Sequence, residues 1–236
     1  MKIMELGHYH HCFINYHVAL DNLEGAIPPG LELDLFENKP VVSWVASSLQ
    51  DMKCLRGLWS IKEPTFSLSL RTYVKKKVGS EMIRGFLPIQ TWFSKGNVTR
   101  AYRWLGIEKS ELLEIQRSVH FEPFEKSSRG VFQYSWNEDS AANHSILKLR
   151  TLGAPQPALA GYLEFFTAEK YYQFSNNRNA SSAIFHERSP WYLWEIDESL
   201  LPSQWPESSF SFLNEKTPIS VFVAKGSKVS LFKRKV

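Results

Sequence analysis

The stretch Phe66-Ser67-Leu68-Ser69-Leu70-Arg71-Thr72-Tyr73-Val74 alternates between apolar and polar side chains. Successive side chains of a β-strand point to opposite faces, so one face of this strand is apolar and the other is polar, with Arg71 near its middle. In an open sheet the polar face meets water, whereas in a sheet that closes into a barrel it lines an interior cavity. Fold and function both depend on which of the two arrangements the chain adopts.

The composition is that of a globular protein. The chain has 236 residues, of which 43% are hydrophobic, 22% charged and 14% aromatic. This length suits one large β-rich domain, and we predict a single domain over residues 1–236. The formal net charge of +4 is small and the basic residues are mixed with acidic ones, so we predict no nucleic-acid partner. No apolar run has the length of a membrane span or a signal peptide, so we expect a cytoplasmic protein with no membrane partner.

Short alternating segments dominate the chain, as is typical of strands. Predicted strands cover residues 9–20, 31–36, 41–49, 65–75, 81–87, 130–136, 145–152, 170–174, 183–187, 191–196, 219–224 and 229–233. We expect hairpins over 31–49, 65–87 and 219–233, and turns at 153–157 and 176–179. Helical patterns cover only 98–105, with Asn97 as N-cap, 108–118, and single turns at 21–27 and 164–168. The predicted fold class is therefore α+β, with a mostly antiparallel sheet.

Five landmarks occur in an order that resembles the YqjF-like family of bacterial proteins of unknown function, within the acetoacetate decarboxylase-like superfamily. They span nearly the whole chain and are the segments 13–18 with 27–34, Arg71-Thr72-Tyr73-Val74, 163–171, 186–191, and the end of the chain at 219–233. Some positions depart from the family pattern. Ser67 and Ser69 stand where an acid and an asparagine are usual, Lys170 replaces an arginine, and His186 is separated from Trp191 by an extra residue or two.

This resemblance implies a closed or cone-like β-barrel, mostly antiparallel, with a few flanking helices and a pocket inside. The periodicity of the sequence supports many antiparallel strands by itself, but it does not show that the sheet closes.

The resemblance also raises the question of a catalytic lysine, because the enzyme that gives the superfamily its name forms a Schiff base on one. Lys75, Lys76 and Lys77 are adjacent to one another just before Gly79. A Schiff-base lysine has to be desolvated, whereas three neighbouring ammonium groups near a turn are solvated. We therefore interpret this run as a hairpin tip, and a lysine-dependent decarboxylase is the least favoured hypothesis.

A cluster of histidines near the N-terminus suggests a metal site at first sight. His8, His10, His11 and His17 flank Cys12. On a regular strand, His8 and His10 share one face while His11 and His17 share the other, and no carboxylate completes a ligand set. We predict no metal site. No phosphate loop, dinucleotide glycine pattern, nucleophile elbow or zinc motif is present, so we predict no cofactor and no particular catalytic residue.

The polar face around Arg71 is the best candidate for a binding site. Inside a barrel its guanidinium can hold a carboxylate or phosphate in bidentate fashion, or it can form an ion pair with an acid such as Glu169. A glutamate and a histidine from the later landmarks can also act as acid and base if the fold brings them together. The predicted ligand-binding residues are Arg71, Tyr73, Ser69, Glu169, Tyr171, His186 and Trp191.

Two functions of different classes remain open at this point. The first is a barrel that binds a small, carboxylate-like organic ligand, with or without catalysis. The second is a non-catalytic structural or partner-binding protein whose barrel is filled with side chains. An enclosed cavity in contact with Arg71 and Glu169 favours the first, and a dry interior with Arg71 in an ion pair favours the second. The sequence does not determine whether the chain forms an oligomer.

Overall fold

A computed structural model describes residues 1–54, 57–105, 107, 110–121, 129–137, 144–175, 182–206 and 210–236. The strands are β1 Lys2–His17, β2 Glu32–Leu33, β3 Val41–Cys54, β4 Trp59–Ile61, β5 Thr65–Val78, β6 Glu81–Phe93, β7 Ser110–Leu112, β8 Ile115–Phe121, β9 Gly130–Asn137, β10 His144–Pro157, β11 Tyr172–Phe174, β12 Ser182–Glu187, β13 Tyr192–Leu200 and β14 Ser220–Lys235. The α-helices are α1 Gly96–Trp104 and α2 Leu163–Ala168, with short 3-10 helices at Leu20–Leu23 and Ser211–Glu215.

Seven strands close into a barrel in the order β1, β3, β5, β6, β11, β12, β14. The pairing of β14 with β1 completes the ring and runs along both strands, from Lys2 opposite Phe232 to Asn15 opposite Ser220. All neighbours in the ring are antiparallel except β6 and β11, which are parallel. The predicted mostly antiparallel, closed barrel is confirmed.

A second sheet continues from the barrel and covers part of its outer surface. Strand β13 pairs with β14 at Leu193 and Trp194, and β10, β9 and β8 follow in that order. Between this sheet and the barrel lies the largest apolar cluster, in which the rings of Trp44 and Trp136 both stack on Trp205. Burial of such large rings is a major source of stability in a β-protein.

The two faces of β5 therefore have opposite surroundings. Leu68 and Leu70 point outward into the apolar cluster beneath the second sheet. Ser67, Ser69 and Arg71 point inward, where they meet residues from each of the other six barrel strands. Closure of the barrel thus places the apolar face of the strand in a core and its polar face in the interior.

Aromatic side chains pack at both ends of the barrel interior. At one end Phe93 packs against Tyr102 of α1, with ring centroids 4.6 Å apart. At the other end Phe166 of α2 lies against Tyr73, with centroids 5.1 Å apart. The polar side chains of the interior form a layer between these two aromatic pairs.

Two predicted hairpins are wrong. The segment after Pro29 pairs with β5 and not with β3, with Glu32 opposite Lys75. The end of the chain is one continuous strand, β14, because its partner β1 bends at the same level. Gly226 has a positive φ of 78° and His10, in the same region of β1, a positive φ of 52°. A turn-like sequence here produces a shared kink between two long strands.

The predicted helix over 108–118 and the predicted turn over 153–157 are also wrong. Residues 108–109 lie outside the described ranges, and the rest forms β7, which pairs with β6, and β8, which pairs with β9. Strand pairing overrides a weak helical pattern in this segment. Strand β10 continues through the proline-containing segment to Pro157. The predicted turn at 176–179 lies outside the described residues, whereas the helical segments near 97–105 and 164–168 are confirmed as α1 and α2. The N-cap of α1 is Lys95 and not the predicted Asn97.

Replacing Gly226 by alanine should destabilise the protein more than the same change at Gly79. Both glycines have positive φ, so both alanine variants carry left-handed strain of about 1–2 kcal/mol. A Cβ at Gly226 would also lie 2.1 Å from the carbonyl oxygen of His8, whereas a Cβ at Gly79 meets nothing within 4 Å. We expect Gly226→Ala to lower the free energy of unfolding by more than about 2 kcal/mol beyond Gly79→Ala in urea denaturation. Equal losses would show that β1 and β14 are not tightly apposed at this point.

Candidate functional site

Arg71 is a buried cation with no counter-ion among the residues that the structure describes. Its residue is only 8% exposed, and its guanidinium lies between the rings of Phe13 and Phe86, 4.6 and 4.7 Å from their centroids. Its strand neighbours Ser43 and Pro88 offer no carboxylate. Within the part of the chain that the structure describes, no carboxylate lies within 4.0 Å of Arg71 and its Nε has no hydrogen-bond partner. Flat aromatic faces thus hold the guanidinium plane while its N–H groups remain available.

Arg71 lines a small cavity in the polar layer of the barrel. The cavity has a volume of about 50 Å³. Its polar lining residues are His8, Ser47, Ser67, Ser69, Arg71, Thr91, Tyr102, Gln173 and His186. The sequence analysis expected a ligand-binding cavity to contact both Arg71 and Glu169. The cavity contacts Arg71, but Glu169 is not among its lining residues.

A bulge in β1 brings two histidines to the cavity side. The prediction that His8 and His10 share a face is wrong, because the positive φ of His10 shifts the register with β3 by one residue. His8 and His11 consequently meet edge to face, with centroids 4.0 Å apart. His10 instead contacts Arg117, on the second sheet. Among the described residues no group of three or more His, Cys, Asp or Glu side chains has metal-binding geometry.

The tautomer of His11 follows from its two partners. Nε2 lies 3.2 Å from the carbonyl oxygen of His8, which can only accept, so Nε2 carries the proton. The lone pair on Nδ1 then accepts a hydrogen bond from the Ser47 hydroxyl at 2.8 Å. Trp191 stacks on the imidazole at 4.0 Å and fixes its plane.

Burial keeps the interior histidines neutral. It is the main cause that lowers the pKa of His8 and His11 well below 6.5, and nearby cations, including Arg71 and Arg188, lower both further. Burial also lowers the pKa of His186 to about 3, with smaller contributions from Arg188 and Arg71. An imidazolium in this layer would be desolvated and next to other cations.

Glu169 forms its ion pair with Arg188 and not with Arg71. The carboxylate lies 3.4 Å from Arg188, and both side chains are almost completely buried. Glu169 also accepts hydrogen bonds from the Tyr171 hydroxyl and from the backbone N–H of Trp191 at 2.9 Å. The Arg188 guanidinium lies 3.8 Å from the Trp191 ring centroid. The segment that resembles the family motif therefore forms a neutral, closed network beside the cavity.

The seven predicted site residues thus fall into two groups. Arg71, Ser69 and His186 line the cavity. Tyr73 does not line the cavity, and its hydroxyl lies 2.7 Å from Ser43 Oγ, which in turn donates to Asn15. Glu169 and Tyr171 line a surface pocket of about 570 Å³ near α2, and Trp191 covers His11. A role of any of the seven in binding stays a prediction.

Sequence reasoning missed His8, Ser47, Gln173 and Arg188. Gln173 was detectable, because it is the polar residue between Tyr172 and Phe174 in an alternating strand. Arg188 follows His186 by two residues and so points to the same side of the chain. His8 was not detectable, because its pairing with His11 depends on the bulge at His10.

None of the four lysines considered from the sequence lines the cavity. Lys75 is 3.7 Å from Glu32, and Lys76 donates to the carbonyl of Val236 at 3.1 Å. Lys77 is exposed, close to the hairpin tip. Lys170, which replaces the family's usual arginine, is buried and pairs with Asp34 at 2.8 Å.

The fold is shared with several solved structures. An acetoacetate decarboxylase from Legionella pneumophila superposes with a TM-score of 0.63 at 14% identity, covering 99% of this chain and 87% of that chain. The enduracididine biosynthesis enzyme MppR, in complex with pyruvate, superposes with a TM-score of 0.63 at 10% identity, covering 99% and 90%. An acetoacetate decarboxylase-like enzyme from Sphingomonas wittichii RW1 has a TM-score of 0.58 at 10% identity, covering 100% and 94%. These likenesses establish the fold.

Sequence comparison gives a family without a known activity. The model of DUF2071, described as an uncharacterized conserved protein, matches residues 7–228. No curated protein is significantly similar to this chain in sequence. The predicted membership of an uncharacterised family is confirmed by this match, and the predicted acetoacetate decarboxylase-like fold by the superpositions. No helix in the described ranges has the length and apolar character needed to cross a membrane.

Acid should destabilise the folded protein through its neutral histidines. The pKa of His186 is lower in the folded chain than in the unfolded chain, so as the pH falls below about 6.5 the unfolded state takes up a proton first. Between about pH 6 and pH 3 this histidine should lower the free energy of unfolding by about 1.4 kcal/mol per pH unit.

Urea denaturation between pH 7.5 and 5.0 tests this prediction. His186→Gln should reduce the slope of the free energy of unfolding against pH by the contribution of about one proton. His120→Gln, at an exposed position on β8, should leave that slope unchanged. A full slope in His186→Gln would mean that this imidazole is protonated in the folded state.

Proposed function

This chain belongs to the DUF2071 family of uncharacterized conserved proteins, and we propose that it binds a small monocarboxylate inside its barrel, with Arg71 as the residue that pairs with the anion. The observation that carries the proposal is the buried guanidinium of Arg71, which lines the cavity without a carboxylate partner in the described chain. Isolated buried charges are rare in proteins because removing an ion from water costs several kcal/mol. A bound anion offsets that cost and supplies bidentate hydrogen bonds.

The charge of the polar layer supports a monoanion. Arg188 is neutralised by Glu169. Burial holds the pKa values of His8, His11 and His186 below the neutral range, so these rings add no charge at pH 7. Arg71 is then left as the uncompensated charge of the cavity wall, and one negative charge balances it. A phosphate dianion would leave an excess negative charge in a desolvated site.

The size of the cavity supports a short ligand. A volume of about 50 Å³ holds roughly three to five water molecules, and therefore a ligand of about as many non-hydrogen atoms. Formate, acetate and glycolate fall within that range, whereas benzoate does not. The neighbour MppR is described in complex with pyruvate, which is a small carboxylate held by a protein of the same fold.

A packed barrel with a structural or partner-binding role is the second candidate. The observation that favours it is the packing of aromatic rings at both ends of the interior, Phe93 with Tyr102 and Phe166 with Tyr73. In that case the cavity holds only water, and Arg71 is stabilised by its two aromatic neighbours.

Carboxylate binding should separate the two candidates. We expect sodium acetate to raise the melting temperature of the wild-type protein relative to sodium chloride at equal ionic strength, and acetamide and benzoate to have no effect. The shift should disappear in Arg71→Met and persist in Arg150→Met, which removes an arginine on the second sheet. A shift of equal size in Arg71→Met would rule out Arg71 as the anion-binding residue, and no shift with formate or acetate in wild type would favour the packed barrel.

Removing the unpaired charge should stabilise the ligand-free protein. Methionine retains much of the packing of Arg71 between Phe13 and Phe86 without a buried cation. By analogy with other buried charges replaced by apolar side chains, we expect Arg71→Met to raise the free energy of unfolding by about 1–4 kcal/mol in carboxylate-free buffer. A loss of stability in urea denaturation would indicate that Arg71 has a partner in the ligand-free protein.

A further inference from the structure

A backbone carbonyl, that of Ile107, determines through Gln173 which nitrogen of His186 carries the proton. The carbonyl of Ile107 can only accept, and Gln173 Nε2 lies 3.4 Å from it, so the amide nitrogen of Gln173 points to Ile107. The amide oxygen then faces His186 Nε2 at 3.0 Å. Because that oxygen can only accept, His186 Nε2 carries the proton of the ring.

A neutral imidazole with its proton on Nε2 has a lone pair on Nδ1. His186 is neutral at pH 7 because burial lowers its pKa to about 3. Its ring is held edge-on to Phe86, with centroids 5.5 Å apart, and it lines the cavity. Nδ1 has no hydrogen-bond partner among the residues that the structure describes.

His11 shows how this acceptor differs from the others nearby. The Nδ1 lone pair of His11 is already used by the Ser47 hydroxyl at 2.8 Å. The hydroxyls of Ser69 and Thr91 lie 3.0 Å apart and satisfy each other. Hydroxyl groups can also rotate to donate or accept, whereas Nδ1 of His186 can only accept. The cavity thus combines a charged donor, Arg71, with an obligate acceptor, His186.

We propose that the ligand is a short 2-hydroxy acid, whose carboxylate pairs with Arg71 and whose hydroxyl donates to Nδ1 of His186. This inference rests on the proposed binding of a monocarboxylate and specifies the class of that ligand. Glycolate has five non-hydrogen atoms and reaches the upper end of the range that the cavity volume allows.

The same arrangement discriminates against 2-oxo acids. A 2-oxo acid carries a carbonyl oxygen where the hydroxyl would lie, and two lone pairs would then face each other in a desolvated site. A buried acceptor left without a donor weakens binding by roughly ten- to a hundredfold. The preference is therefore opposite to that expected of a site built for pyruvate.

Isosteric ligands test the hydroxyl directly. In isothermal titration with the wild-type protein, we expect glycolate to bind at least tenfold more tightly than acetate and than fluoroacetate, which matches glycolate in size and charge but has no hydroxyl donor. If glycolate and fluoroacetate bind equally well, the hydroxyl is not recognised and this inference is wrong, while the role of Arg71 stands. If none of the three binds, the proposed function fails as well.

Two variants assign the preference to His186. His186→Phe should abolish the preference for glycolate over acetate and fluoroacetate, whereas His120→Phe, at an exposed position, should retain it. Gln173→Met removes the partner that fixes the tautomer while retaining His186, and it should weaken the preference even if His186→Phe does not fold. A preference that survives in both variants overturns the inference.

Nitrogen-15 NMR of the imidazole provides a readout that does not depend on binding. In the ligand-free protein at pH 7, His186 should carry its proton on Nε2, and Gln173→Met should allow the Nδ1-protonated form to appear. A wild-type spectrum with the proton on Nδ1 would overturn the inference, because the ring would then present a donor to the cavity.

Discussion

The pairing of the first and last long strands is the constraint on which the rest of the structure depends. As β14 runs beside β1 along nearly the whole length of both strands, the sheet has no free edge at this point and becomes a barrel. Without that pairing, the polar face of β5 would be an ordinary solvated face. With it, Arg71 is buried and lines a cavity to which all seven barrel strands contribute side chains. The local kink at His10 and Gly226 is part of the same interaction, and it also turns His8 and His11 toward each other.

The ion pairs near the barrel interior show how Arg71 differs from the other buried cations. Asp34 pairs with the buried Lys170 and the exposed Arg84, and Glu169 pairs with the buried Arg188, so two carboxylates account for three cations. These networks connect the barrel to α2 and to the segment around Trp191. Arg71 has aromatic rings on both sides and no acid within reach in the described chain. Arg71 is therefore the cation of the cavity lining that has no acidic partner in the described chain.

Local sequence patterns were most reliable where pairing partners are neighbours in the chain. The hairpin of β5 and β6 was predictable because alternation on both sides of a glycine turn determines its register. The segment from residue 110 to 121 was not, since its leucines and isoleucine fit a helix as well as two strands, and only pairing with β6 and β9 selects the strands. For a similar reason, the sequence did not predict that β14 is one continuous strand. Lys225-Gly226-Ser227-Lys228 is a turn sequence in isolation, but the strand opposite it bends in the same place.

The sequence by itself determined the alternation of β5, the inward position of Arg71 once the sheet closes, and the family to which the chain belongs. These follow from a period of two along one strand and from motifs that occur in order. Only the tertiary structure decided that the sheet closes and that Glu169 pairs with Arg188 and not with Arg71. It also decided that a bulge at His10 brings His8 next to His11, and that the amide oxygen of Gln173 lies against Nε2 of His186. The physical reason is that each of these depends on partners far apart in the chain, which meet only when the barrel is complete.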